Sequence, residues 1–395
     1  MNLQLDAELI AFRDEVRAFL RGQLDNRARR GQRLCASLYP EPEVSLPWAQ
    51  TLARRGWLVP LWPAEWGGTG WTPLQRFVFE TECALAGAPL VNPMGPRLLG
   101  PVLLRYGSEA QKQRFLPAIR AGEVYWCQGF SEPGAGSDLA ALTTRAEPDG
   151  AEHYIVNGAK IWTTHAQHAD WMFALVRTSR QGKPQQGISF LLIDLRSPGV
   201  TIRPIATIGG DHDVNEVFFD AVRVPQANRI GAENAGWDCA KYLLEFERGA
   251  GIFSPRLRAQ LKRVGDTLAA LQAAGAGLAG QLHARFGEVL ADLDSFEMME
   301  LELLGSLQPG QRPGRMASIL KLRASRLKQQ IGELGVEVLG AEALRWRDAP
   351  EALPYGEEVG GVLLPEYANS RANTIFGGAA EVQLGLIARE LLLDA

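Results

Sequence analysis

Hydrophobic residues in the first quarter of the chain recur at helical steps. Leu5, Leu9, Phe12, Val16 and Phe19 are three or four apart, so residues 5–24 read as an amphipathic helix with one face for a core. Thr72-Pro73 reads as the start of another helix that stops near Gly87, with proline at a position that needs no N–H. Ser108 followed by Gln111 is a capping-box pattern for a helix ending near Gly122. Ser45 and Pro47 mark one more start. Residues 27–43, with their arginines, glycine and prolines, read as a loop. Leu61-Trp62-Pro63-Ala64-Glu65-Trp66-Gly67-Gly68 reads as a rigid, aromatic-rich connection. Residues 1–123 are therefore expected to form an N-terminal α-helical domain.

The period then changes. Tyr154-Ile155-Val156, Met172 to Val176, Ile188 to Ile193 and Val217-Phe218-Phe219 are short, β-branched or aromatic, and separated by turn residues. They predict a mainly antiparallel sheet or barrel over 124–235, with Asn157-Gly158 as a hairpin turn. From residue 236 helices return. Leu320, Ala324, Leu327, Ile331, Leu334 and Val338 form one stripe, and Phe286, Leu290, Leu293 and Phe296 form another. Residues 268–284, rich in alanine and glycine, read as a soft helix end and connection. The fold class is α+β, with a helical domain, a β-domain and a helical bundle over 236–395.

Composition narrows the partners. Of 395 residues, 46% are hydrophobic and 22% charged, which gives ample core, and the net charge of −4 gives no basic bias for nucleic acid. The four cysteines, Cys35, Cys83, Cys127 and Cys239, have no paired spacing, which argues against a disulfide framework or zinc site. No apolar run approaches membrane-spanning length and no basic-then-apolar signal opens the chain, so a cytoplasmic location is expected.

The candidate chemistry is concentrated in residues 126–164. Trp126-Cys127-Gln128-Gly129-Phe130-Ser131-Glu132-Pro133-Gly134-Ala135-Gly136-Ser137-Asp138 combines hydroxyls with two glycines that let backbone N–H groups turn toward one point, as phosphate-cradling loops do. Asn157-Gly158-Ala159-Lys160-Ile161-Trp162-Thr163-Thr164 follows, placing an indole beside hydroxyls that suit a large planar cofactor. This pair of motifs resembles the flavin-binding segment of the acyl-CoA dehydrogenase family, whose motifs run Thr/Ser-Glu-Pro-x-Ala-Gly-Ser-Asp and Asn-Gly-x-Lys-x-Trp-Ile-Thr-Asn. His165 stands where the second motif ends in Asn. The resemblance covers nearly the whole chain. It implies an N-terminal helical domain, a middle β-barrel-like domain and a C-terminal four-helix bundle, with FAD as cofactor. Gln128, Phe130, Ser131, Gly136, Ser137, Trp162 and Thr164 would hold FAD, and Ser137 would also face the substrate.

Desaturating a thioester requires a carboxylate for the α-proton, a flavin for the β-hydride and two donors for the thioester oxygen. The family's usual base lies in a Tyr-Glu-Gly-Thr-x-x-Ile/Val-Gln segment. Aligned on Gly378 and Gln383, that glutamate falls on Gly377. Other members, resembling isovaleryl-CoA and long-chain enzymes, carry the base in an earlier Glu-Arg pair, matched here by Glu247-Arg248. The resemblance thus implies Glu247 as base, Arg248 as its orienter or a coenzyme A contact, and the Gly377 N–H as an oxyanion donor. Glu381, one helical turn from Gly377, is the alternative base.

In homotetrameric members a neighbouring subunit completes each adenine site with an Arg-x-x-Phe-Gly segment, a later Gln and a Gln-x-x-Gly-Gly-x-Gly turn. Here His283 stands for the Arg, Asp294 lies near the Gln position, and Glu337-Val338-Leu339-Gly340-Ala341-Glu342-Ala343 replaces the turn. A carboxylate facing a pyrophosphate repels it, and alanines block close backbone approach. The expected assembly is a hetero-oligomer, a heterodimer or α2β2, with a homologous second subunit. The expected reaction is oxidation of an acyl-CoA to the trans-2-enoyl-CoA, with electrons passed to an electron-transferring flavoprotein. Alternatives are a non-catalytic or flavin-holding subunit, and a flavin oxidase or monooxygenase on the same fold.

Overall fold

The computed structural model describes residues 6–249, 252–275, 280–307, 314–344 and 362–393. Six helices come first: α1 (Ala7–Gln23), α2 (Asn26–Arg33), α3 (Pro42–Arg55), α4 (Pro73–Ala86), α5 (Gly100–Tyr106) and α6 (Glu109–Ala121). The capping boxes at Thr72/Gln75 and Ser108/Gln111 are both formed. Helices α4 and α6 stop at Gly87 and Gly122, whose left-handed φ of 73° and 68° closes a helix cheaply.

Two expectations here are corrected. Residues 26–33 form helix α2 rather than loop, because Asp25 caps it by accepting from Ala28 N at 2.7 Å. Its sequence has no apolar stripe to betray it, and its polar side chains do the docking. Arg29 donates to Ala86 O and Gln32 Oε1 accepts from Leu90 N, both at 2.7 Å. Helix α3 begins at Pro42, so Pro47 lies inside it rather than at its start.

Eight strands follow: β1 (Trp126–Gly129), β2 (Arg145–Asp149), β3 (His153–Thr164), β4 (Trp171–Arg177), β5 (Ile188–Asp194), β6 (Val200–Ile205), β7 (Val214–Pro225) and β8 (Arg229–Ile230). They form one sheet in the order β6-β7-β3-β2-β4-β5-β8, with β1 parallel to β4 and most other pairs antiparallel. Asn157-Gly158 is not a hairpin turn. It lies within β3 at a register shift, with Gly158 at φ 146° and Asn157 Oδ1 accepting from Ala221 N at 2.9 Å. A side chain at Gly158 would meet Thr144 Oγ1 at 2.6 Å, so the dipeptide marks a bulge where two backbones press together.

Strands β4 and β5 are apolar on both faces because each face serves a different core. Phe173, Leu175, Phe190 and Leu192 join Phe12, Trp57, Leu103 and Leu116 of the N-terminal helices in one continuous cluster. Met172, Ala174, Leu191 and Ile193 pack within the sheet against Tyr154, Val217 and Val222. Among the described residues, helices α7 (Gly236–Gly249), α8 (Ser254–Ala273), α9 (Gly280–Ser306), α10 (Arg315–Leu339), α11 (Leu363–Ser370) and α12 (Ala380–Leu393) follow. Leu257, Leu261, Val264, Leu293, Phe296, Leu327 and Ile331 form the separate core of the bundle.

Candidate active site

The loop after β1 is built on a tight turn. Glu132 and Ala135 exchange two backbone hydrogen bonds of 3.0 Å across Pro133-Gly134. Phe130 is buried and stands edge-on to Phe173 and Phe190, with ring centroids 5.9 and 6.2 Å apart. Gln128, in β1, and Ser131 are half-buried, whereas Gly136 and Ser137 are exposed. Neither Gly134 nor Gly136 takes a positive φ, so the glycines are not needed for backbone conformation. A Cβ at either would meet nothing within 4 Å. The chain itself makes no demand for glycine at these positions, and the loop presents an open cradle.

Beneath it sits a buried ion pair. Lys160 Nζ donates to Glu132 Oε1 at 2.7 Å, to Leu175 O at 2.7 Å and to Phe130 O at 3.3 Å. Glu132 also accepts from Thr143 N at 2.6 Å, Thr143 Oγ1 at 2.9 Å and Thr144 N at 3.0 Å. Burial alone would raise the Glu132 carboxyl, but the Lys160 charge and these donors bring it down to about 2. Burial lowers Lys160 to about 8 against the pull of the same carboxylate.

The second motif is fastened to the first. Ile161 N donates to Ser131 O at 3.0 Å, and the pairing of β3 with β7 shifts register between Lys160 and Thr163. Within that shift Trp162 has φ 60° and is 60% exposed, an unusual conformation for a bulky residue. Thr164 is half-buried opposite Val214. His165 ends the segment at φ 55°, a left-handed position that histidine and asparagine both tolerate better than most residues. It is fully buried, with Nδ1 2.7 Å from the Tyr125 hydroxyl and its N–H on Asp213 O at 2.9 Å. The structure therefore joins Ser131 to the Trp162–Thr164 segment through their backbones.

Glu247 and Arg248 belong to the last turn of α7, and their side chains lie outside the described residues. The helix that carries them is well anchored. Tyr242 meets Tyr106 and Phe246 edge-on at 5.6 and 5.0 Å, and Gly236 packs where a Cβ would lie 2.4 Å from Ser189 C. Just beyond, buried Glu300 accepts from Phe253 N at 2.7 Å, Ser254 N at 3.1 Å and Ser254 Oγ at 2.6 Å, fixing the start of α8. Gly377 and Gly378 have φ of 63° and 91°. Glu381 is exposed in the first turn of α12, and Gln383 is fully buried with neither amide atom hydrogen-bonded among the described residues.

Three family profiles match consecutive parts of the chain: Acyl-CoA dehydrogenase, N-terminal domain over residues 6–123, middle domain over 127–222 and C-terminal domain over 234–392. The chain belongs to the acyl-CoA dehydrogenase family. It is 37% identical to acyl-CoA dehydrogenase IpdE1 of Mycobacterium tuberculosis over 87% of this chain and 86% of that protein. Among solved structures it resembles the Tcur3481-Tcur3483 steroid ACAD, with a TM-score of 0.86, 27% identity and 99% of both chains covered. It also resembles the ChsE4-ChsE5 complex from Mycobacterium tuberculosis, with a TM-score of 0.82, 31% identity and 99% of both chains covered.

Acyl-CoA dehydrogenases are FAD-dependent oxidoreductases acting on acyl-CoA. The two segments expected to match the subunit-donated adenine contacts carry ion pairs within the chain. Arg285 pairs with Glu337 at 3.3 Å, and Asp294 with Arg258 at 2.7 Å, while His283 is exposed. An open groove lined by Leu142, Thr143, Arg177, Arg180 and Lys183 lies beside the residues that follow Ser137. Glu132 and Lys160 stand inside the two motifs and carry a structural role there that no local pattern in the sequence marks.

Proposed function

We propose that this chain is the catalytic subunit of a hetero-oligomeric, FAD-dependent acyl-CoA dehydrogenase that converts a bulky, branched or ring-bearing acyl-CoA to its trans-2-enoyl-CoA. An electron-transferring flavoprotein takes the electrons. The observation that carries this reading is Gly377: the usual base position holds a glycine at φ 63°, a backbone state that disfavours any side chain, while α7 ends in the Glu247-Arg248 pair.

The residues fit FAD. The open glycine cradle at 134–137 leaves room for a close backbone approach to phosphate, and the exposed Trp162 with Thr164 offers a ring face and a hydroxyl. When bound, FAD supplies the acceptor for the β-hydride. Glu247 removes the α-proton, and the Gly377 N–H donates to the thioester oxygen, where negative charge develops. Arg180 and Lys183 supply positive charge for the phosphates of coenzyme A. Glycine at 377 widens the pocket on that side, which favours a large acyl group. The likeness to the steroid ACAD supports the same size class.

A homologous partner completes the adenine side. The Arg285–Glu337 and Arg258–Asp294 pairs support this, because they hold within the chain the segments a self-associating subunit would lend. Co-production with such a partner, followed by native mass spectrometry, is expected to show unlike chains with one FAD per pair. Full FAD occupancy of this chain alone would overturn the heteromer. In the assembled enzyme Glu247→Gln is expected to lower kcat by about 10²- to 10⁴-fold with FAD retained. Unchanged turnover would remove Glu247 as the base and favour a structural subunit.

A further inference from the structure

The loop that carries Gly377 is gripped from behind by one face of α10. Lys321 is 9% exposed, and its ammonium donates to Asn373 O at 2.8 Å and Gly378 O at 2.9 Å. Ser325, one turn on, shares its hydroxyl proton between Lys321 O at 2.9 Å and the same Asn373 O at 3.0 Å, and Gln329 Nε2, a further turn on, donates to Ser370 O at 3.1 Å. The spacing of four puts all three on one stripe of the helix.

The two carbonyls held by Lys321 flank the loop tip. Ile375 N and Phe376 N both fold back on Ala372 O, at 2.9 and 3.0 Å. The N–H of Gly377 makes no hydrogen bond among the described residues, and Gly377 itself is half-buried. The amides of Gly378 and Ala379 are likewise without partners among the described residues, and a clamped loop with unused amides is how a backbone donor is presented to a substrate oxygen. Burying an ammonium is costly unless carbonyls or carboxylates replace its water, so a methylene-rich apolar side chain would be the cheaper filler. At Lys321 two of the groups that replace this water are carbonyls of the Gly377 loop.

We propose that Lys321 is a positioning residue: its ammonium fixes residues 373–378 so that the free Gly377 N–H faces the thioester oxygen. This rests on the dehydrogenase reading above, but the clamp can be tested without it. Hydrogen exchange on the assembled protein is expected to show the amides of 373–379 exchanging about tenfold faster or more in Lys321→Met, with α10 and the sheet unchanged. Ser325→Ala, which removes one bond and leaves the ammonium, is expected to give a smaller increase in the same segment. In turnover, Lys321→Met is expected to lower kcat by about 10- to 100-fold, with KM changed far less and FAD retained.

Should Lys321→Met fail to fold, Lys321→Arg and Ser325→Ala carry the exchange test. Unchanged exchange over 373–379 would overturn the clamp, and wild-type kcat in Lys321→Met would overturn its positioning role in the reaction. A wild-type complex inert toward every acyl-CoA would instead overturn the dehydrogenase reading, and with it the thioester role. Faster exchange confined to 373–379 would still establish the grip.

Discussion

Glu132 and Lys160 meet at 2.7 Å in an ion pair that water does not reach, and each belongs to a different motif of the candidate flavin site. The pair is the physical link between the loop after β1 and the bulge in β3. Removing one partner leaves the other charge buried without compensation, whereas removing both leaves little to desolvate. Glu132→Gln or Lys160→Met alone is expected to cost about 3–5 kcal/mol in urea unfolding. The double variant is expected to cost clearly less than the sum of the two. Additive losses would show that the pair is not coupled.

The pair also fixes an acid limit. Glu132 lies at about 2 rather than its ordinary 4.5, so the folded chain keeps the carboxylate charged where the unfolded chain would protonate it. Its contribution is complete above pH 4.5 and drains away as pH falls toward 2. Between those values the wild type is expected to lose stability more steeply than the Glu132→Gln/Lys160→Met double variant. Denaturant midpoints at stepped pH give the two slopes, and equal slopes would refute the assignment.

Two glycines of the site separate ligand demands from fold demands. Gly136 has ordinary φ and open space around its Cβ position, so Gly136→Val is expected to leave the melting point of the apoprotein nearly unchanged while FAD content drops. Gly158 combines φ 146° with a 2.6 Å clash, so Gly158→Ala is expected to destabilise the apoprotein itself. Melting curves with and without FAD distinguish the two. Loss of apoprotein stability in Gly136→Val would mean the loop is packed by the chain after all.

Most of the fold was legible where periodicity and caps agreed. The α4 and α6 helices were readable from Thr72-Pro73 and Ser108/Gln111, and the strands from short apolar runs. Helix α2 was not, because Arg-rich residues 26–33 have no apolar face and dock through side-chain hydrogen bonds. Asn157-Gly158 misled because the same dipeptide that suits a hairpin also suits a bulge. In the site, the motif residues stood out, but the tie between Glu132 and Lys160 depends on a contact 28 residues apart that no local pattern encodes. The grip of Lys321 on the Gly377 loop is longer still in sequence and was equally hidden.

Restoring an acid at 377 is not expected to restore a base. Gly377 is left-handed at φ 63°, and a side chain there costs on the order of 1–3 kcal/mol. Gly377→Glu in the Glu247→Gln background is expected to remain as slow as Glu247→Gln alone and to melt earlier. Recovery of turnover would show that the loop readily re-forms around a side chain.

The shared packing of Phe12, Trp57 and Leu116 with Phe173 and Phe190 has a consequence for dissection of the chain by truncation. A fragment cut at the end of α6 would expose the part of its interior that packs on the sheet, so the first helices and the sheet are expected to melt as one cooperative block. The interior around Leu293 and Ile331 is a separate cluster, joined to the first helices through Phe77 against Ile252 and Leu304, and it is expected to give a second heat-absorption peak in calorimetry. A ligand that bridges the two blocks is expected to draw those peaks toward one.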